Sequence, residues 1–171
     1  RITPSLLAKV RAMSPRMMVV NWNGDVYEDA LLGSAAMTYL EHVDLQLVVN
    51  ANVLEEYEKR GIRAAYWQVA FEPVSESLPK VPAHDVVFLA NNYSKSRTQI
   101  GQMLRELPCD VGLYGTGWPN ASGQSLYDFT TGAALYRNAK IAIGDNQYNG
   151  YGFVSNRMFE TLANGAFMLH Q

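Results

Sequence analysis

Short apolar runs recur along this chain at intervals too regular to be incidental. They read M-M-V-V-N at 17–21, L-Q-L-V-V at 45–49, R-A-A-Y-W-Q-V at 63–69, V-V-F-L-A at 86–90, V-G-L-Y at 111–114, I-A-I-G at 141–144 and A-F-M-L at 166–169. Runs of this length and apolarity suit strands covered on both faces. Between them lie stretches of helical periodicity with recognisable stops. A helix is expected over 4–12, broken at Ser14-Pro15, and another over 52–60, stopped by Gly61. Others are expected within 26–41, over 96–107 and over 125–138. In all, about seven strands and six helices can be drawn, and such alternation implies parallel sheets with crossover helices.

The stretch 71–83 interrupts the pattern. It holds Pro73, Pro79 and Pro82, with Ser75, Glu76 and Ser77 among them, and reads as a linker. The fold class expected is therefore α/β, with two Rossmann-like parallel-sheet pieces joined by a proline-rich linker. The boundary is placed so that residues 1–75 form one piece and 76–171 the other.

In open α/β sheets, ligands sit beyond the carboxyl ends of the strands. Three loops of the second piece qualify: Asn91-Asn92-Tyr93-Ser94-Lys95-Ser96-Arg97, Gly115-Thr116-Gly117-Trp118, and the Asn/Gly/Tyr-rich loop ahead of Ser155. Ser155 suits a helix N-cap, and Gly165 suits the stop of the same helix. Met158, Phe159, Leu162 and Ala163 share one side of it, and Arg157, Glu160, Thr161 and Asn164 the other. A helix N-terminus carries roughly +0.5 of a charge, and with Asn156 and Arg157 it can hold a phosphate. Glu160, one turn further in, can accept two hydrogen bonds from a vicinal diol such as a ribose. Arg157 and Glu160 also have the spacing of an ordinary surface ion pair, and both readings stand.

The other loops are equally two-sided. Asn91 and Asn92 offer amides to a phosphate or sugar, but asparagine is also a common turn residue. Arg97 can neutralise a phosphate or simply be solvated. Gly115 permits close approach of backbone to a ligand, and Tyr114 and Trp118 can stack on a base or pack inside. In the first piece, Asp25 follows a strand. It fits either a general base or the cap of the next helix.

The phrase S-N-R-M-F-E-T-L-A-N-G-A-F-M-L at 155–169 resembles the nucleotide-sugar segment of GT-B fold glycosyltransferases, in particular the spore-maturation type of group 1, where S-N-R-x-F-E-x-x-A-x-G-x-F-x-L recurs. V-V-F-L-A-N-N-Y-S-K-S-R at 86–97, L-Y-G-T-G-W at 113–118 and Y-R-N-A-K-I-A-I at 136–143 extend the similarity in order. The resemblance implies a GT-B-like, incomplete pair of domains. Residues 1–75 would be the C-terminal part of the acceptor-side domain and 76–171 a truncated donor-binding domain. It implies transfer of a sugar from a nucleotide-diphosphate donor to a glycan, protein or small-molecule acceptor, with no metal and no cofactor. The donor would meet Asn91, Asn92, Arg97, Tyr114, Gly115, Gly152, Ser155, Asn156, Arg157 and Glu160, and Asp25 would face the acceptor. The match has departures: Gly152 stands where many members carry a second glutamate, and Ala90-Asn91 where they carry Gly-Arg. The alternative is a non-catalytic nucleotide- or partner-binding module of the same fold. A nicotinamide enzyme is a third reading, but no complete G-x-G-x-x-G follows an early strand.

Composition narrows the classes. A formal charge of −2 over 171 residues gives no polyanion-binding surface, so no nucleic-acid polymer is expected as partner. Cys109 is the one cysteine, which excludes an internal disulfide and reads as a small buried hydrophobe. His42, His84 and His170 lack ligand spacing, so no metal site is expected. No apolar run reaches about 18 residues and no signal-peptide pattern is seen, which points to a cytoplasmic location. The start at Arg1 and the stop just after a strand suggest a fragment of a longer protein.

Overall fold

The structure, a computed structural model, describes residues 3–24, 38–74, 77–123, 128–146 and 153–170. It is α/β, with two separate parallel sheets. The chain divides into two compact units, one of Arg1–Val69 with Gln147–Val154 and the other of Ala70–Asn146 with Ser155–Gln171.

The first unit opens with α1 (Pro4–Met13), capped by the Thr3 hydroxyl, with Pro4 in the first turn where its missing N–H costs nothing. Strands β1 (Val20–Asn23), β2 (Leu45–Val48) and β3 (Ala64–Tyr66) form a parallel sheet in the order β1-β2-β3. A 3-10 turn (Ala51–Val53) and α2 (Leu54–Lys59) connect β2 to β3. The core is one cluster, with Leu40, Val48, Val53 and Tyr57 buried at its centre.

The apolar run at 17–21 suggested a strand buried on both faces, yet pairing starts only at Val20. The carboxylate of Asp44 takes the Val19 N–H at 2.7 Å and binds Arg11 at 2.8 Å, while the Val19 carbonyl receives the N–H of Asp44. Residues 17–19 thus lead into the sheet as a tether. Val20 and Trp22 remain exposed on an edge strand, as periodicity alone does not reveal. The Arg11 guanidinium holds the Asp44 carboxyl below its usual range.

The second unit contains β4 (His84–Leu89), α3 (Lys95–Arg105), β5 (Val111–Tyr114), α4 (Phe129–Arg137), β6 (Ala139–Gly144), α5 (Asn156–Ala163) and β7 (Met168–His170). Its parallel sheet runs β5-β4-β6-β7. Alternation along β4 fills both faces: Val87 and Leu89 join one core cluster with Leu135 and Tyr136, and Val86 and Phe88 join the other with Leu104 and Trp118. That two-sided burial is why the run at 86–90 is continuously apolar.

Residues 67–74 and 77–83 carry no helix or strand, in keeping with their prolines. From residue 70 on this segment belongs to the second unit, where Val81 packs on the core and Arg137 Nη2 donates to the Val74 carbonyl at 2.7 Å. Cys109, expected inside, is exposed, because it sits with Pro108 in the bend between α3 and β5.

Candidate functional site

Strand order locates the site. The chain passes from β4 outward to β5, then returns to lay β6 on the opposite side of β4. A crevice opens at such a switch point, beyond the carboxyl ends of the strands. A cavity of about 390 Å³ lies there, lined by Leu89, Ala90 and Asn91 from the end of β4, Tyr93 just ahead of α3 and Arg97 in its first turn, Phe129, Gly132 and Tyr136 of α4, and Asn156, Arg157 and Glu160 of α5.

The local sequence builds α5 at this point. Ser155 is extended, and its hydroxyl accepts from the Arg157 N–H at 3.3 Å. The Asn146 side chain in turn accepts from the Ser155 N–H at 3.2 Å. Gly165 turns with φ +79°, as a helix stop requires. The helix presents the side carrying Glu160, Thr161 and Asn164 to the protein, with Thr161 and Asn164 buried, while Leu162 stays 52 % exposed. Gly132 lies beside the acid: a Cβ there would stand 3.4 Å from Glu160 Oε1, within ordinary contact. Burial raises the Glu160 carboxyl above its ordinary value, opposed by the positive charge of Arg157. The same burial, together with the Glu160 charge, raises the phenol of Tyr136.

Asp145, immediately after β6, ties the cationic groups together. Its Oδ2 accepts from Arg97 Nε at 2.7 Å, and its Oδ1 from Arg97 Nη2 at 3.3 Å and Arg157 Nη1 at 3.0 Å. The side chains of Arg97 and Asp145 are each only 4 % exposed, and that of Arg157 18 %. Arg97 Nη1 also donates to the Asn91 carbonyl at 2.9 Å, and its guanidinium lies 4.4 Å from the centre of the Tyr93 ring. Arg97 is therefore neutralised and held along most of its fork. Arg157 has five N–H donors, of which Asp145 engages Nη1.

The expected residues separate into groups. Asn91, Arg97, Asn156, Arg157 and Glu160 line one cavity, and Ser155 caps the helix beneath it. Asn91 and Asn92 also tie two loops. Asn91 Oδ1 accepts from the Thr116 N–H at 2.9 Å, and Asn92 Nδ2 donates to the Gly117 carbonyl at 3.1 Å. Gly115 has φ +129°, and a Cβ on it would meet the Ala90 carbonyl oxygen at 2.3 Å. It brings that carbonyl close to the neighbouring loop. Tyr114 does not line the cavity; it is buried, and its hydroxyl meets His84 Nε2 at 2.8 Å. Trp118 is buried too, donating through Nε1 to the Ala90 carbonyl and packing over Gly101. Asp25 and Gly152 lie outside the described residues, as do Tyr148 and Tyr151.

Sequence reasoning missed Asp145, Tyr136 and Phe129. An Asp after a strand-ending glycine reads as a turn, and only the approach of Arg97 from α3 reveals its task. Among the described residues, no three His, Cys, Asp or Glu side chains gather as metal ligands. No described helix is long and apolar enough to cross a membrane.

No protein-family model matches the sequence, and no curated protein matches it. Nine chains of solved structures do match. One is described as "Crystal structure of GtfA/B complex", with 13 % identity and a TM-score of 0.48. The alignment covers 96 % of this chain and 40 % of that one.

Proposed function

We propose that the chain serves a glycosyltransferase that moves a sugar from a nucleotide-diphosphate donor to a glycan, protein or small-molecule acceptor, without a metal ion. The observation that carries this reading is the convergence of Asn156, Arg157 and Glu160 on one cavity at the switch point of a parallel sheet. In this reading the Arg157 fork and the first turn of α5 meet the diphosphate, where charge develops as the sugar departs. Glu160 accepts hydrogen bonds from the ribose diol. Asn91 meets the donor near the phosphates or sugar, while Asn92 and Gly115 hold the loops in place. Asp25 would serve the acceptor as general base. Donors of this kind are made in the cytoplasm, where we place the protein.

One observation favours a second reading, a non-catalytic nucleotide-binding module. Arg97 is spent on Asp145, which leaves Arg157, among the described residues lining the cavity, as the cation with donors to spare. Titration with UDP, GDP and NAD, followed by an assay for sugar release from a panel of UDP-sugars, separates the two. Nucleoside-diphosphate binding with slow sugar release supports the transferase, and binding without turnover the module. Preference for NAD rejects both. Glu160→Ala removes hydrogen bonds to a charged group and is expected to weaken nucleotide binding about ten- to a hundredfold. Unchanged affinity would place Glu160 outside the site.

A further inference from the structure

We infer that Asp145 is a positioning residue for anion binding, acting on the ligand through Arg157 rather than by contact. The inference rests on the donor-site reading above and adds to it the means by which one cationic fork is aimed.

Three observations carry it. Asp145 is buried and is not among the residues lining the cavity, and both its carboxylate oxygens are engaged by arginines. It is shared by two arginines from different parts of the chain, Arg97 on α3 and Arg157 on α5. The two partners differ in standing. Both line the cavity, but Arg97 is as buried as Asp145 and is held by three hydrogen bonds, whereas Arg157 is partly exposed and gives Asp145 one.

The physics follows from that asymmetry. A free arginine samples many rotamers, and ordering it on ligand binding opposes affinity. Here Arg97 locks Asp145, and Asp145 locks one end of Arg157, so part of that ordering is made before the ligand arrives. Charge alone predicts the opposite sign for Asp145. A carboxylate next to an anion site repels the anion, so its removal should tighten binding if it were merely a neighbouring charge.

Replacing Asp145 alone strands the buried Arg97 and threatens folding. The paired variant R97M/D145A avoids this: it removes one positive and one negative charge together, leaving the net charge of the site unchanged. Buried ion pairs replaced by apolar side chains are commonly tolerated. The probes are UDP and GDP, titrated calorimetrically into the full chain. The paired variant is expected to bind the preferred nucleotide roughly two- to tenfold more weakly, the scale of one immobilised side chain. In an R157M background the same pair of changes should alter affinity no further, because there is no fork left to aim.

Unchanged or tighter binding by the paired variant overturns the inference while leaving the donor site standing. So does an equal loss in the R157M background, which would mean that Arg97 touches the ligand directly. Failure of the wild-type chain to bind either nucleotide overturns the donor-site reading, and the inference with it.

Discussion

Glu160 is placed where a carboxylate is costly. Burial favours its neutral form, and Arg157 offsets only part of that. The unfolded chain releases this proton near 4.5, whereas the folded protein holds it to higher pH. Between those two points the folded state binds more protons, so the contribution of Glu160 to stability falls as pH rises above 4.5. Glu160→Gln should therefore raise the melting temperature of the ligand-free protein at pH 7, and the gain should shrink as pH is lowered toward 4.5. Thermal melts across that range test this, and a gain independent of pH would contradict it. The same substitution removes an acceptor for a diol.

At the scale of the element, α5 departs from the usual rule: Met158, Phe159 and Ala163 are only half-buried. Its polar side packs inward and Leu162 faces water. Asn164 is buried, with Nδ2 donating to the Glu160 carbonyl at 2.9 Å. Leu162→Lys is expected to change stability by less than about 0.5 kcal/mol, whereas Asn164→Ala should cost about 0.5–1.5 kcal/mol by removing a buried side-chain hydrogen bond, the Glu160 carbonyl keeping the Asn164 backbone N–H at 3.2 Å. Urea denaturation of the two variants checks the ordering, and a larger loss at Leu162 would refute this account of the helix. The sequence shows which residues of 156–163 share a side, because the 3.6-residue repeat is local. It does not show which side turns inward, because that depends on distant partners such as Asp145, Gly132 and Arg137. Strand number and direction were legible for a related reason: each apolar run is a local feature, and alternation with helices leaves parallel pairing as the natural outcome. The offset of β1 was not legible, since Asp44 sets it from a distant position. The shared role of Asp145 was not legible either, since Arg97 lies 48 positions away.

The whole molecule carries two units. Among the described residues, the second is filled on both faces of its sheet, while the first has one cluster and exposes Val20 and Trp22 on β1. A ligand confined to the second unit stabilises that unit alone, by about 2.7 kcal/mol at a hundred times its dissociation constant. Saturating UDP or GDP should therefore delay loss of the second unit's structure and leave the first unit's unfolding where it was, splitting the transition. Hydrogen exchange read separately on β2 and β4 measures this, and equal protection of both strands would show that the units unfold as one.

The division of the chain is not a single cut. Residues 147–154 belong with the first unit, although the chain on either side of them, ending at Asn146 and resuming at Ser155, belongs with the second. Phe153 forms a bridge with Asn50, and the Val154 carbonyl accepts from Gln68 Nε2 at 3.1 Å. Anyone grafting the second unit onto another scaffold must accordingly carry over or replace this excursion. A chimera joined only near residue 70 would bring along a borrowed segment whose partners had been left behind.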